Sequence, residues 1–302
     1  MSKAAFAIAA HPDDIEFTMA GTLIMLQKAG YEIHYMNIAN GSLGSKFTDR
    51  TTTAMTRRKE AMEAAGLIGA IYHESICEDV EIFYTKELYS ALVPEIRDAD
   101  PEIILTHGPY DYMEDHINAG RLAVSAAFFR GMPNCAVSRP AEPVDTEVAV
   151  YHSMPHGLKD QLNKPVVPEL LVNTASAIEI QKNMLRCHRT QKEWLDVTQG
   201  PDVYLKGIDE ASTLCAKFSG KFTAAEGWIQ HNPMGFCTPG FNPLADALKD
   251  DCVRNPLYPF IGKTADGACT IKCMLFFSTC VIIFHIEAPF LILFPYNGNL
   301  RL

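Results

Sequence analysis

The sequence predicts an α/β fold, a Rossmann-like three-layer sandwich around a mostly parallel sheet. Two observations carry this. Short apolar runs alternate with longer amphipathic segments through the first 130 residues or so, and the runs themselves ("AAFAIAA", "EIILTHG") are continuously apolar. Continuous apolar strands joined by helical crossovers mark a parallel sheet covered on both faces. In such sheets ligands bind beyond the carboxyl ends of the strands. Here the first and fourth apolar runs lead straight into loops rich in histidine and acid.

Taken in order, "AAFAIAA" reads as a buried strand and "IEFTMAGTLIMLQKAG" as one helix stopped by Gly30. "YEIHYMNIA" is a second strand, followed by the loop "NGSLGSKFTDR". "TTTAMTRRKEAMEAAGLIG" has helical spacing with a Thr-rich start, "AIYHESI" is a short strand, and "TKELYSALVPEIRDA" a helix. "EIILTHG" and "DHINAGRLAVSAAFFR" repeat the strand–helix pair. Beyond residue 131 the pattern loosens. "VAVYHSMP" reads as a strand and "TASAIEIQKNMLRCHRTQKEWL" as one long helix, whereas "AKFSGKFTAAEGWIQHNPMGFC" has no clear period.

The 302 residues are 48% hydrophobic and 21% charged, enough for a sizeable core. A formal net charge of −10 argues against nucleic acid or an anionic membrane surface as the main partner. Nine cysteines lie without a paired framework, and no signal-peptide pattern opens the chain, so reduced thiols in a cytoplasmic setting are expected. The segment "TIKCMLFFSTCVIIFHIEAPFLILFPY" is far more apolar than the rest. Lys272, His285, Glu287 and Pro289 interrupt it, which makes it a poor membrane span; a β-hairpin or a non-native extension fits as well. The expected organisation is one domain over 1–262 and an apolar extension over 263–302.

Chemistry concentrates in "AHPDDIE" and "YDYMEDH". An H-x-x-D turn lets the His11 imidazole and the Asp14 carboxylate converge on one cation. His116, from the loop after the fourth strand, would complete three protein ligands with a position left open, the pattern of catalytic rather than structural zinc. A zinc-bound water is acidified to near neutrality, and Asp13, beside the ligands, is placed to take its proton as general base. The alternative for Asp13 and Asp14 is plain capping of the helix that follows. The alternative for His116 is a structural histidine at a helix start. No G-x-G-x-x-G follows the first strand, so a dinucleotide-binding reading is set aside.

These motifs, together with "GYEIHYMNIANG", "RRKEA", "LRCHRTQKEWL" and "AEGW", resemble the PIG-L/LmbE family of zinc-dependent de-N-acetylases, over about residues 4 to 260. That family acts mainly on molecules containing N-acetylglucosamine. The resemblance implies the same roles for His11, Asp14, His116 and Asp13, and the same Zn2+ cofactor. It further implies that Arg57 faces the substrate, that Asp79 binds a sugar hydroxyl, and that His188 is a catalytic residue approaching the scissile carbonyl. Asp115 would orient a ligating histidine or cap the helix. One departure stands out: where many members carry a histidine three residues before the last ligand, this chain has Met113, a substrate-pocket residue that donates no proton. The implied function is removal of an acetyl or other small acyl group from an N-acyl amino sugar or related amide. The rivals are an amidase acting on a thiol-sugar conjugate and a catalytically silent metal- or sugar-binding module. A small-molecule sugar-like substrate is the expected partner, and a homo-oligomer is compatible with the apolar tail.

Overall fold

A computed structural model describes residues 3–200, 203–258, 269–277 and 280–288. Within the first compact unit, Met1–Asn255, an eight-stranded sheet forms the middle layer. Its strands are β1 (Ala4–Ala9), β2 (Glu32–Asn37), β3 (Ile71–His73), β4 (Ile103–Thr106), β5 (Ala149–Ser153), β6 (Leu170–Asn173), β7 (Ala225–Gln230) and β8 (Cys252–Arg254). The order across the sheet is β3-β2-β1-β4-β5-β7-β6-β8. From β3 to β5 every pairing is parallel, whereas β7 is antiparallel to both β5 and β6, and β8 to β6.

β1 shows why this is a three-layer sandwich. Alternate residues of a strand point to opposite faces. Ala5, Ala7 and Ala9 pack into one core with Leu23, Leu26, Ala61 and Ala64, while Phe6 and Ile8 pack into a second with Leu92, Ile96, Leu122 and Ala126. Both sets are fully buried, so an apolar side chain at every position is what the location demands.

The helices of the described residues are α1 (Asp14–Thr18), α2 (Ala20–Lys28), α3 (Arg50–Gly66), α4 (Lys86–Ala99), α5 (Glu114–Phe129), α6 (Ile178–Arg186), α7 (Arg189–Gln199), α8 (Val203–Ala216) and α9 (Pro243–Leu248). Two of the single helices read from apolar spacing are in fact pairs. The first breaks at Met19, whose φ of −136° leaves the helical region. The break frees the Gly21 and Thr22 amides to donate to the buried Glu226 carboxylate at 2.8 and 2.7 Å. The second breaks at Cys187–His188. There the Glu60 carboxylate accepts from Thr190 N at 3.0 Å, capping the new start. Apolar spacing runs unbroken across both points, so only tertiary acceptors mark them.

The aperiodic stretch contains β7, whose Glu226, Gly227 and Trp228 are all buried. A Cβ on Gly227 would lie 2.8 Å from both Met154 and Pro168, so close packing rather than alternation sets its sequence. In the second unit, Pro256–Leu302, β9 (Cys269–Phe277) pairs antiparallel with β10 (Cys280–Ala288) as a two-stranded sheet. The boundary expected at residue 262 lies outside the described residues, and the first unit ends at Asn255. Among the described residues no helix is long and apolar enough to cross a membrane.

Candidate metal centre

β1 and β4 are parallel neighbours, so the loops at their carboxyl ends emerge side by side. The first is a tight turn: Asp14 N donates to His11 O at 3.2 Å, and His11 N donates to Asp14 Oδ2 at 2.7 Å. Asp13 sits at its apex with φ 106°, a left-handed conformation that side chains other than glycine rarely adopt. Such strain persists where the surroundings over-determine it. The second loop carries His107 and Asp111 and enters α5, which places His116 in its first turn. Gly120 allows the close packing, since a Cβ there would lie 2.4 Å from the His107 carbonyl.

The two loops bring His11, Asp14 and His116 together. One ligand atom from each lies within 4.8 Å of the others. His11 Nδ1 is 3.4 Å from Asp14 Oδ2, and His116 Nε2 is 3.3 Å from Asp14 Oδ1. The remaining nitrogen of each histidine has its own acid: His11 Nε2 meets Asp115 Oδ2 at 2.9 Å and His116 Nδ1 meets Asp111 Oδ1 at 3.0 Å. A carboxylate behind each imidazole fixes ring orientation and leaves the other nitrogen free for a cation. His107 stacks on His116 with ring centroids 4.2 Å apart, and its Nε2 is 3.4 Å from Asp14 Oδ2.

The electrostatics of these groups bears on whether they fit a cation. Burial disfavours a charged His11 or His116, yet the surrounding carboxylates outweigh it and raise the two to about 9 and about 10. Burial also disfavours an ionised Asp14, but His116, His107 and His11 hold it well below its ordinary range. A buried cluster that draws positive charge onto two imidazoles is one a dication satisfies, and N/O donors of this type suit zinc. The residues present fit the metal.

Asp13 points elsewhere. Its Oδ1 is 3.3 Å from Arg57 Nη2, and its Oδ2 accepts from Tyr204 Oη at 2.8 Å. Burial, partly opposed by Arg57, raises its carboxyl to about 6. Arg57 reaches the turn from α3 and also donates to the Pro12 carbonyl. Room for it comes from Gly44, where a Cβ would fall 1.9 Å from Arg57 Nη1.

Beyond the centre opens a cavity of about 620 Å³. Asp13, Arg57, Asp79 and Met113 line it. Asp79 accepts from Gly41 N at 2.7 Å and Leu43 N at 2.9 Å, and so shapes the loop after β2. His188 is placed apart from the cavity wall. It is fully buried at the break between α6 and α7, is absent from the cavity wall, and faces Glu16 at 3.3 Å. In this arrangement its ring meets Glu16 rather than the cavity. Glu16, also fully buried, accepts from Tyr35 Oη at 2.9 Å, so His188 belongs to a polar knot behind the site. Sequence reasoning missed Tyr204, which lies 191 residues from Asp13 and has no motif around it. It also missed Asp111, for which the acidic run before His116 was the available signal.

Residues 6–127 match the PIG-L family, described as GlcNAc-PI de-N-acetylase. That stretch of the chain is similar to this family. The chain is 28% identical over 201 residues to a diacetylchitobiose deacetylase of Thermococcus kodakarensis, a match covering 63% of this chain and 70% of that protein. It is also 28% identical over 164 residues to a 4-oxalmesaconate hydratase of Pseudomonas putida, covering 51% of this chain and 62% of the hydratase. Among solved structures, an N,N'-diacetylchitobiose deacetylase from Pyrococcus horikoshii superimposes with a TM-score of 0.65 at 21% identity. That likeness of fold covers 80% of this chain and 89% of the other. The PIG-L match spans both metal-centre loops and ends within α5.

Proposed function

We propose that this chain is a zinc-dependent hydrolase of the PIG-L kind that removes an acetyl or other small acyl group from an N-acyl amino sugar. The observation that carries the reading is the meeting of a three-donor metal set and a separately held, buried carboxylate at one cavity. The named activity of the T. kodakarensis relative supports it. His11, Asp14 and His116 would hold the zinc, which supplies a Lewis acid for the acyl carbonyl and acidifies a water.

The chain's own residues account for the proton. Asp13, with a carboxyl raised to about 6, takes a proton from the attacking water and returns it to the leaving nitrogen as the C–N bond breaks. Arg57 and Tyr204 fix the direction of that carboxylate. Met113 has no proton to offer, so the amine is protonated from Asp13. Arg57 and Asp79 edge the volume a sugar would occupy, and Trp194 and Leu195 supply apolar wall.

The test is metal content and acetate release together. Wild type should carry about one zinc and His116→Ala should lose it, while Asp13→Asn should keep the metal and stop releasing acetate from N-acetylated sugars. An Asp13→Asn variant as active as wild type would sink the mechanism. Full metal content with no release from any N-acyl sugar would leave a binding module.

A further inference from the structure

The charge of the cavity wall narrows the substrate class. Five acids line it: Asp13, Asp14, Asp79, Asp111 and Glu210. Four are committed, Asp14 to the metal centre, Asp13 to Arg57 and Tyr204, Asp79 to two backbone amides, and Asp111 to His116. Arg57 is the only Lys or Arg among the described lining residues, and it is 2% exposed and paired with Asp13. Lys46 lies outside the wall, with its ammonium 5.8 Å from the Trp194 ring centroid. The first turn of α5 already carries Glu114 and Asp115, so that helix end offers no seat for an anion. Glu210, on the exposed side of α8, has no hydrogen bond or ion pair among the described residues.

We propose that the cavity selects substrates that are neutral or cationic outside the acyl group, with Glu210 as the wall residue that enforces the choice. This rests on the de-N-acylase reading of the same site. Away from the metal centre, a phosphate or carboxylate on the sugar would meet no free Lys or Arg among the described lining residues, only the exposed His156 imidazole, and would face Glu210. A hydroxyl or an ammonium would find an acceptor there. Repulsion of this kind acts on partners that lack a compensating charge, and salt screens it.

The experiment compares N-acetylglucosamine with its 1-phosphate and 6-phosphate on the zinc-loaded full chain. Amine release is measured for the wild type, Glu210→Gln and Glu210→Lys, and binding is measured by saturation-transfer NMR on Asp13→Asn. At low ionic strength kcat/KM for the neutral sugar should exceed that for either phosphate at least tenfold. The ratio should shrink in Glu210→Gln, shrink further in Glu210→Lys, and fall with added salt. Phosphorylated sugars turned over as well as the neutral one would overturn the proposal while leaving de-N-acylation standing. Selection that ignores both Glu210 variants would overturn the role of Glu210. If no sugar is turned over but only the neutral one binds, charge selection stands and the reaction assigned to the site falls. Binding and turnover of none would overturn both.

Discussion

Replacing Glu226 with alanine should destabilise the chain by about 4 kcal/mol, and the figure follows from three hydrogen bonds. The carboxylate is 6% exposed and accepts from Gly21 N at 2.8 Å, Thr22 N at 2.7 Å and Gln181 Nε2 at 3.0 Å. The two amides belong to the first turn of α2, where no intrahelical acceptor exists. Each buried donor left without a partner costs roughly 1–3 kcal/mol, and water entering the vacated space recovers part of that, which gives the total of about 4. For a domain of this size that corresponds to a fall in Tm of roughly 8–16 °C. Glu226→Gln keeps one acceptor oxygen and should cost about half as much. Urea denaturation of wild type and both variants at one pH is the assay, with equal m-values required before the midpoints are compared. An alanine variant within 1 kcal/mol of wild type, or a glutamine variant as damaged as the alanine one, would refute the idea that this carboxylate ends one helix and starts the next.

The other predictions concern the site and its surroundings. Tyr204→Phe removes the 2.8 Å bond to Asp13 and should lower kcat for acyl release about 10- to 100-fold, taking roughly 1.5–3 kcal/mol for a hydrogen bond to a charged group, with zinc content unchanged. Loss of zinc in that variant would place Tyr204 in the metal centre instead. Gly44→Ala pushes a methyl against Arg57 and should impair turnover, whereas Gly66→Ala, which meets nothing within 4 Å, should not; equal activities would discount the packing argument. His152, with Nδ1 donating to the His107 carbonyl at 2.8 Å, is driven down to about 4, burial being the main cause. Because its native value lies below the unfolded one, its neutral form is required for folding. Stability should fall as pH drops from about 6.5 toward 4, by about 3 kcal/mol from this residue. In His152→Gln that part of the acid slope should vanish in denaturation curves at pH 7 and 4.5, and an unchanged slope would reject the assignment.

What could be read from the sequence, and what could not, divides along physical lines. β1 and β4 were legible because a continuously apolar run that stops at a block of charge has few structural explanations. That same contrast exposed His11, Asp13, Asp14 and His116. The breaks at Met19 and His188 were not legible: helical spacing continues through both, and what caps the start of each second helix is a carboxylate brought from elsewhere, Glu226 in one case and Glu60 in the other. β7 was hidden for a related reason. Its Glu226 faces amides and its Gly227 accommodates Met154 and Pro168, so neither shows a strand period. His188 looked like a site residue because it lies in a motif. Its burial against Glu16 depends on the helix break that spacing conceals.

The strand order also bears on how such a protein is made. β1 lies between β2 and β4, so the turn bearing His11 and Asp14 must wait for a partner loop more than a hundred residues later in synthesis; 104 positions separate His11 from Asp115. Once α5 has left the ribosome all three donors exist. Tyr204 and Glu226 do not yet exist. On the proposed reading, the three candidate donors are thus made well before the residue that orients Asp13.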